Sequence, residues 1–245
     1  MNKLWAILSA LCFGVLQTRA QRTYSSSSVL ASGNWYKLEI RQSGVYRIDL
    51  PWLSAAGINA AGVSSSSIRL FGNGGAMLSE SNSGNYTDDL VENAIMVVDG
   101  GDGVFNGQDY ILFYADGPDK WVQDGAQSFR CEKNIYSNSS FYFLTIGGNG
   151  KRISTGGIPV AGGTFLTTYL HRQQHELDTI NFLQSGKEWF GEEFMNAPGK
   201  EVRRIFSFNL PHLIIQEPVR YSLEVLARSL STPSSFTISS GNSPI

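Results

Sequence analysis

One glycine-rich stretch of this chain carries oxygen ligands that could hold a hard cation. Asp99, Asp102, Asn106 and Asp109 offer carboxylate and amide oxygens, which are the groups that calcium prefers. An EF-hand loop would place its side-chain ligands at alternate positions, with glycine sixth and glutamate twelfth, and this spacing does not match. Two interpretations therefore stay open: a calcium site, and a glycine-rich turn whose Asp and Asn side chains cap backbone N–H groups.

Two histidines have a spacing that could serve a transition metal. His171 and His175 are four residues apart, which would bring them to one face of a helix. However, Arg172 follows His171 and Gln174 precedes His175, so the glutamate of both the HExxH motif and its inverted form is missing. The sequence predicts histidines on the surface or at strand ends, and no metal site at this pair.

A third chemistry would use the thiol of Cys131 with the imidazole of His171, His175 or His212. The residues around Cys131, Phe-Arg-Cys-Glu-Lys-Asn, lack a glycine-rich or helix-opening context that would favour a thiolate. The pattern is typical of a half-buried strand cysteine. No catalytic residue is predicted, and a self-sufficient hydrolase is the least favoured class of function.

The composition indicates the class of fold that must position these residues. Only 16% of the residues are charged, against an average of about a quarter in globular proteins, while 26 are glycine and 12% are aromatic. These proportions favour an extracellular, all-β, mainly antiparallel protein. The formal net charge of -2 and the lack of any Lys/Arg cluster exclude nucleic acid as an expected partner.

The first twenty residues have the pattern of a cleaved secretory signal peptide. Lys3 supplies the positive start, the apolar run from Leu4 to Leu16 follows, and Thr18-Arg19-Ala20 gives a small-x-small cleavage site. The run is shorter than the ~20 residues that span a bilayer, and no second apolar segment follows. We expect an exported product without a membrane span, in which Cys131 is the only remaining cysteine.

The stretch from Trp35 to Leu50 predicts a β-hairpin turning at Gln42-Ser43-Gly44, followed by a short helix over Asp49 to Gly57. Apolar and polar residues alternate on both sides of the turn, so one side of the hairpin should be buried. The other side would be charged, with opposite charges pairing across the two strands. The predicted buried residues are Tyr36, Leu38, Ile40, Tyr46, Ile48 and Leu50, and the charged ones are Lys37, Glu39, Arg41, Arg47 and Asp49.

Further strands predict two β-sandwich-like domains with one or two short helices. A first β domain would occupy residues 21–160, and a second, incomplete one would occupy residues 161–245. A short helical turn is predicted at Leu177, Ile180 and Leu183. The predicted strands of the first domain are Ile68–Phe71, Glu92–Val98, Tyr110–Ala115 and Phe141–Ile146; those of the second are Phe165–Leu170, Ile205–Phe208, Leu213–Ile215, Tyr221–Ala227 and Phe236–Ile238.

Three stretches together resemble one family. They are the Trp35–Leu50 stretch with the PWLSAAG run at 51–57, the DGVFNGQDYILFY run at 102–114 with Gly117-Pro118 and Trp121, and the SGKEWFGE run at 185–192. Their order and spacing are similar to the N-terminal region of the gingipain-like cysteine peptidases that serve as sortases of the type IX secretion system of Bacteroidota.

The resemblance implies a non-catalytic β region that folds, docks or restrains a downstream peptidase domain carrying its own His and Cys. It also implies a location at the outer membrane surface or outside the cell, with other secretion components and cargo C-terminal domains as partners. No catalytic motif of the family matches this chain, so no catalytic role is transferred to Cys131 or to the histidines.

A different class of function stays open as the alternative. A cell-surface adhesin or a carbohydrate-binding β-sandwich would use exposed indole rings as stacking platforms, and Trp35, Trp121 or Trp189 could provide them. Neither interpretation requires a cofactor, apart from the calcium that the Asp99–Asp109 stretch could hold.

Overall fold

The computed structural model describes residues 24–81, 84, 86–125, 128–154, 156, 166–186, 188–241 and 243–244. Its regular elements are short strands with one α-helix, α1 (Leu50–Ala55), and two 3-10 turns, Val29–Ala31 and Ser65–Ser67. The strands are β1 (Tyr36–Ile40), β2 (Gly44–Asp49), β3 (Val63–Ser64), β4 (Ile68–Phe71), β5 (Glu92–Asn93), β6 (Met96–Val98), β7 (Val104–Phe105), β8 (Tyr110–Ala115), β9 (Lys120–Gln123), β10 (Phe129–Glu132), β11 (Ser140–Ile146), β12 (Ser239–Ser240) and β13 (Ser243–Pro244).

The chain divides into two compact units. The first unit comprises residues 1–165 and 181–189, and the second comprises residues 166–180 and 190–245. The predicted signal peptide, residues 1–20, lies outside the described residues. Among the described residues, no helix combines the length and the apolar character needed to cross a bilayer.

Two antiparallel sheets make up the centre of the first unit. One has four strands in the order β1-β11-β4-β5, and the other has three in the order β2-β8-β6. The first unit also contains two smaller antiparallel pairs, β3 with β7 and β9 with β10. Every ladder between named strands is antiparallel, which confirms the predicted all-β class.

Alternate residues of both sheets meet in one hydrophobic core. Burying each large apolar side chain contributes about 1.5–3 kcal/mol, so this core stabilises the unit without a disulfide. Ser140 and Thr145 are the polar side chains that β11 buries. The core residues are Leu38, Ile40, Ile48, Leu53, Ile58, Ala60, Ile68, Leu70, Ile95, Phe105, Ile111, Phe113, Ala115, Tyr142 and Leu144.

The predicted hairpin is wrong in its pairing, although both of its strands form. β1 pairs with β11, where Leu38 lies opposite Tyr142, and β2 pairs with β8, where Tyr46 lies opposite Phe113. The chain therefore passes from one sheet to the other between β1 and β2, and both strands turn their apolar side towards the same core. Alternation specifies which face of a strand is buried, but it does not specify the partner strand.

The same corner changes the role of the charged residues. Glu39 on β1 pairs with Arg41, just after that strand, at 2.9 Å, and Arg47 pairs with Asp49 within β2 at 3.9 Å, so neither ion pair joins two strands. Both pairs are exposed to solvent, which screens them, so they add little to the stability of the fold.

Residues 92–98 form a second corner where a single strand was predicted. β5 pairs with β4 in the four-stranded sheet, and β6 pairs with β8 in the three-stranded one. Between them Ile95 is buried and bridges to Arg152. The predicted strands at 68–71, 110–115 and 141–146 are confirmed as β4, β8 and most of β11.

The short helix is confirmed because its signals are local. The Asp49 side chain caps it by accepting a hydrogen bond from the Trp52 amide at 3.0 Å, and Pro51 lies in its first turn, where no N–H donor is needed. Gly57 follows the helix with a φ of 75°, a conformation that glycine adopts without strain. Leu53 is the residue that the helix buries in the core.

The second unit has little regular structure in its described residues. It contains a bridge between Ile180 and Phe190 and the β12–β13 ladder. No strand forms over 166–170, 205–208, 213–215, 221–227 or 236–238, and the helical turn at 177–183 is also absent from the described residues. Large apolar side chains such as Leu223 (54% exposed) and Ile215 (82% exposed) are left accessible to solvent. The division into domains at residue 160 stays a prediction.

Candidate functional site

The Asp99–Asp109 loop connects β6 to β8 and uses its polar side chains on its own backbone. Asp99 Oδ1 accepts a hydrogen bond from the Gly101 amide at 3.0 Å, and Asp102 Oδ1 accepts one from the Val104 amide at 2.8 Å. Asp109 Oδ2 accepts from the Asn106 amide at 2.6 Å. These are Asx-type caps of a glycine-rich turn, which is the second of the two interpretations drawn from the sequence.

The polar groups around Asp99 change the pKa of its carboxyl group. The Ser65 hydroxyl, followed by the hydrogen bond from the Gly101 amide, lowers the pKa of Asp99 below its usual value. Among the described residues, no three His, Cys, Asp or Glu side chains are arranged so that they could share one metal ion. Calcium binding by Asp99, Asp102, Asn106 and Asp109 stays a prediction.

Cys131 and the three histidines fall into different units. Cys131 lies on β10 opposite Trp121 in the first unit, whereas His171, His175 and His212 all belong to the second. His171 contacts the ring of Tyr169 edge-on at 6.3 Å, and His212 has a φ of 59°. His175 Nε2 lies 2.5 Å from Glu192 Oε1, which is a carboxylate partner that the sequence analysis did not identify.

The most unusual surface of the first unit is the outward side of the three-stranded sheet, which we call the outer face. In a sandwich such outward positions are normally polar, but six of these eight are apolar or aromatic. Val45 is 71% exposed and lies directly opposite Tyr114, which is 58% exposed. The outer face comprises Val45, Arg47, Asp49, Met96, Val98, Tyr110, Leu112 and Tyr114.

The charged residues of the outer face lie towards one end of β2. The guanidinium of Arg47 lies 4.4 Å from the centre of the Tyr110 ring, within the range of a cation–π contact. Its ion pair with Asp49 is at the same end. On β6 Met96, 47% exposed, lies opposite Leu112 of β8. The outer face is therefore an apolar patch with a charged border, the type of surface that marks interaction sites.

The sequence predicted this side to be charged because Arg47 and Asp49 were expected to pair with the charged residues of β1 in a hairpin. A signal for the correct result was present in β8, Tyr-Ile-Leu-Phe-Tyr-Ala, which is apolar on both of its faces. Such continuous apolar strands are typical of sheets that are covered on both sides. The core covers Ile111 and Phe113, while Tyr114 remains exposed.

The outward side of the four-stranded sheet is different, because it is polar or covered by its own side chains. Arg69 and Glu92 form a bidentate ion pair there, with N–O distances of 2.8 and 3.1 Å. The Lys37 ammonium lies 3.6 Å from the centre of the Phe141 ring. Trp35 packs edge-on against Phe71 at 5.0 Å, so its ring is committed to the protein.

The two other candidate stacking residues are only partly exposed. Trp121 on β9 is 39% exposed, and Trp189 is 41% exposed. Each therefore presents less than half of its surface to solvent, and nothing in the described residues joins them to Trp35 in one platform.

Fold and surface together define the class of this protein: an antiparallel β-sandwich module with an uncovered apolar sheet face. No protein-family model matches the chain, and no curated protein matches it. Among solved structures, the chain is similar to dimeric latent PorU from Porphyromonas gingivalis, with 34% sequence identity and a TM-score of 0.39. The match covers 53% of this chain and 11% of the PorU chain, so it spans only a small part of the length of that protein.

Proposed function

We propose that this chain is the non-catalytic N-terminal β region of an exported PorU-like cysteine peptidase of the type IX secretion system. In this role it folds with, docks onto or restrains a peptidase domain of the same polypeptide, at the outer membrane surface or outside the cell. Other secretion components and cargo C-terminal domains are the further partners that this assignment implies. The observation that carries the docking role is the exposed apolar outer face.

Two of the three family-like stretches form one structural feature, which supports the assignment. β2 from the first stretch pairs with β8 from the second over six residue pairs, from Gly44–Ala115 to Asp49–Tyr110. Gly117 then lies so close to the corner that an added Cβ would be 2.8 Å from the Ser43 amide nitrogen. The stretches on which the resemblance rests therefore depend on each other in space, as parts of one module would.

The energetics of the outer face support a docking role. A partner that covers exposed apolar side chains contributes about 25 cal/mol of binding free energy for each Å² removed from water. Val45, Met96 and Tyr114 all remain about half exposed or more on adjacent strands. A partner that covers this patch gains stability without rearranging the core beneath it, because the inward residues of the same strands are already buried.

The first experiment addresses the polypeptide. Sequencing the reading frame beyond the codon for Ile245 should show an in-frame domain with paired His and Cys residues. A stop codon or a run of repeats at that point would contradict the proposed peptidase.

The second experiment addresses docking by hydroxyl-radical footprinting of methionines. Met96 lies in the outer face and is 47% exposed, whereas Met77 lies outside the outer face and is 37% exposed. We expect Met96 to oxidise several-fold more slowly in the full-length polypeptide than in the chain described here, because a docked domain excludes solvent from it. Met77 should oxidise equally fast in both. Equal rates for Met96 in the two proteins would exclude docking at the outer face while leaving the family assignment intact.

A further inference from the structure

A cleft of about 440 Å³ opens in the second unit. Its walls include His175, Glu192, Arg203, Arg204 and Phe206, all from that unit. It is separate from the outer face, which belongs to the first unit, and the proposed docking role does not use it. What the cleft could bind depends on which of its charged groups are already engaged.

The carboxylate of Glu192 is engaged. Its Oε1 lies 2.5 Å from His175 Nε2, and the Glu192 side chain is only 16% exposed. Burial alone raises the pKa of Glu192, but the hydrogen bond from His175, a backbone hydrogen bond and weaker electrostatic attraction to His175 and Arg204 together more than offset burial, so the pKa lies below its usual value. Glu192 therefore stays ionised and orients the imidazole.

The two guanidinium groups are not engaged in the same way. Within the part of the chain that the structure describes, no carboxylate oxygen lies within 4.0 Å of a guanidinium nitrogen of Arg203 or Arg204, so neither arginine forms an ion pair there. Each guanidinium carries five N–H donors in a planar fork that matches a carboxylate or a phosphate. Glu192 and Glu201 also border the cleft, so the carboxylates balance the formal charges of the two arginines, and what the arginines offer a ligand is N–H donors rather than a net positive charge.

An apolar wall lies beside these donors. The Phe206 ring packs against the His175 ring with a centroid distance of 4.9 Å, and Ile205 is next to it in the lining. Phe206 is 37% exposed, so part of its ring is available to a ligand. The cleft thus combines guanidinium N–H donors, which can bind an oxyanion, with an apolar surface that can contact an apolar group.

We propose that this cleft binds a small organic oxyanion, a carboxylate or a phosphate ester that carries an aromatic or aliphatic group. Arg203 and Arg204 hold the oxyanion, and Phe206 with Ile205 packs against the apolar part. The bidentate geometry of guanidinium gives this site its preference for planar or tetrahedral oxyanions over halide ions.

The test is a titration of the chain with phenyl phosphate, benzoate, inorganic phosphate and benzyl alcohol. NMR or calorimetry measures the binding of each compound. We expect saturable binding of phenyl phosphate or benzoate, and the tighter of these two identifies the class of oxyanion. Inorganic phosphate and neutral benzyl alcohol should each bind at least about tenfold more weakly, since each lacks one of the two contacts. Equal binding of benzyl alcohol, or no saturable binding of either aromatic anion, would overturn the proposal.

Three variants locate the site. Arg203→Gln and Arg204→Gln should each weaken the preferred anion by about tenfold, because each removes a bidentate contact. Arg220→Gln removes the same charge from the same unit outside the cleft, and it should change binding less than about twofold. All three arginines are exposed, so none of the substitutions removes a buried side chain. An equal loss in Arg220→Gln would show non-specific attraction by surface charge and would contradict the proposal.

Discussion

Glu92 shows how one carboxylate can connect three segments of the first unit. Its two oxygens accept from Arg69 on β4 at 2.8 and 3.1 Å, and Oε1 also accepts from the Lys151 amide at 2.8 Å. The Glu92 side chain is 12% exposed and that of Arg69 is 30% exposed, so solvent screens this pair less than the other ion pairs of the unit. The hydrogen bond from Arg69 is the largest cause that holds the pKa of Glu92 below its usual value.

These contacts predict an acid-sensitive contribution to stability. Because the pKa of Glu92 is lower in the folded state, its stabilisation is present above the usual value of 4.5 and is lost as the pH falls through the folded-state value. Glu92→Gln should lower the free energy of unfolding at pH 7 by about 1.5–3 kcal/mol, the range for hydrogen bonds to charged groups. It should also flatten the dependence of stability on pH below 4.5.

Urea unfolding between pH 3 and pH 7 measures both effects. Glu188→Gln is the matched control, since Glu188 is exposed and belongs to the same unit. If the two variants lost stability equally and kept the same pH dependence, Glu92 would not have the role described.

Neither the Arg69–Glu92 pair nor the His175–Glu192 pair could be predicted from the sequence. Arg69 and Glu92 are 23 positions apart and meet only because β4 pairs with β5. The short helix that ends before Gly57 was predicted, because the signals for a helix are neighbours in the chain. Residue roles were therefore predictable where the partner is local, and were missed where the partner depends on strand order.

At the scale of elements, the corner between β1 and β2 depends on a close approach of two backbones. The Gly117 amide donates to Ser43 Oγ at 2.9 Å, and the Tyr46 hydroxyl donates to the Gln42 carbonyl at 2.7 Å. A Cβ on Gly117 would lie 2.8–2.9 Å from backbone atoms of Gln42 and Ser43. Backbone cannot rotate aside as a flexible side chain can, so the corner itself would have to shift.

Gly117→Ala should therefore destabilise the first unit by about 1–3 kcal/mol, the usual cost of overpacking. Gly44→Ala is the matched control at the same corner, because a Cβ there meets nothing within 4 Å. Chemical denaturation followed by tryptophan fluorescence measures the difference. Similar midpoints for the two variants would show that the corner tolerates the added methyl group.

Corners also explain which elements the sequence could predict. β4 and β8 form where predicted because each has a clear pattern of strand-forming residues. The pairing of β1 with β2 and the continuity of 92–98 were wrong, because in both places the chain changes sheets without leaving the extended conformation. The outer face was not predicted, because its residues come together only when β2, β8 and β6 pair in one sheet.

For the whole molecule, the two units differ in how much of their apolar surface is protected. The core of the first unit buries Leu53, Ile111 and Phe113 at 2% exposure or less, whereas in the second unit Tyr221 is 53% exposed and Leu213 is 49% exposed. Proteases cleave segments that open locally with little loss of buried contacts. The second unit should therefore be cut first.

Brief digestion with chymotrypsin tests this difference. We expect early cleavage at Leu213 and Tyr221, and resistance at Tyr114, which is 58% exposed but lies in a paired strand. Mass spectrometry of the fragments identifies the sites. Cleavage at Tyr114 as fast as at Tyr221 would show that strand pairing does not protect the first unit.

The pairing of β1 with β11 has a consequence for the order in which the molecule can assemble. Leu38 must find Tyr142, more than a hundred positions further along the chain, before the four-stranded sheet closes. Contacts between such distant positions slow folding, because the chain between them must lose conformational entropy before the contacts can form. A ribosome must therefore synthesise the chain at least to Leu144 before all of β1 has a partner. Until then β1 remains without its partner strand, and its backbone N–H and C=O groups are open to a chaperone.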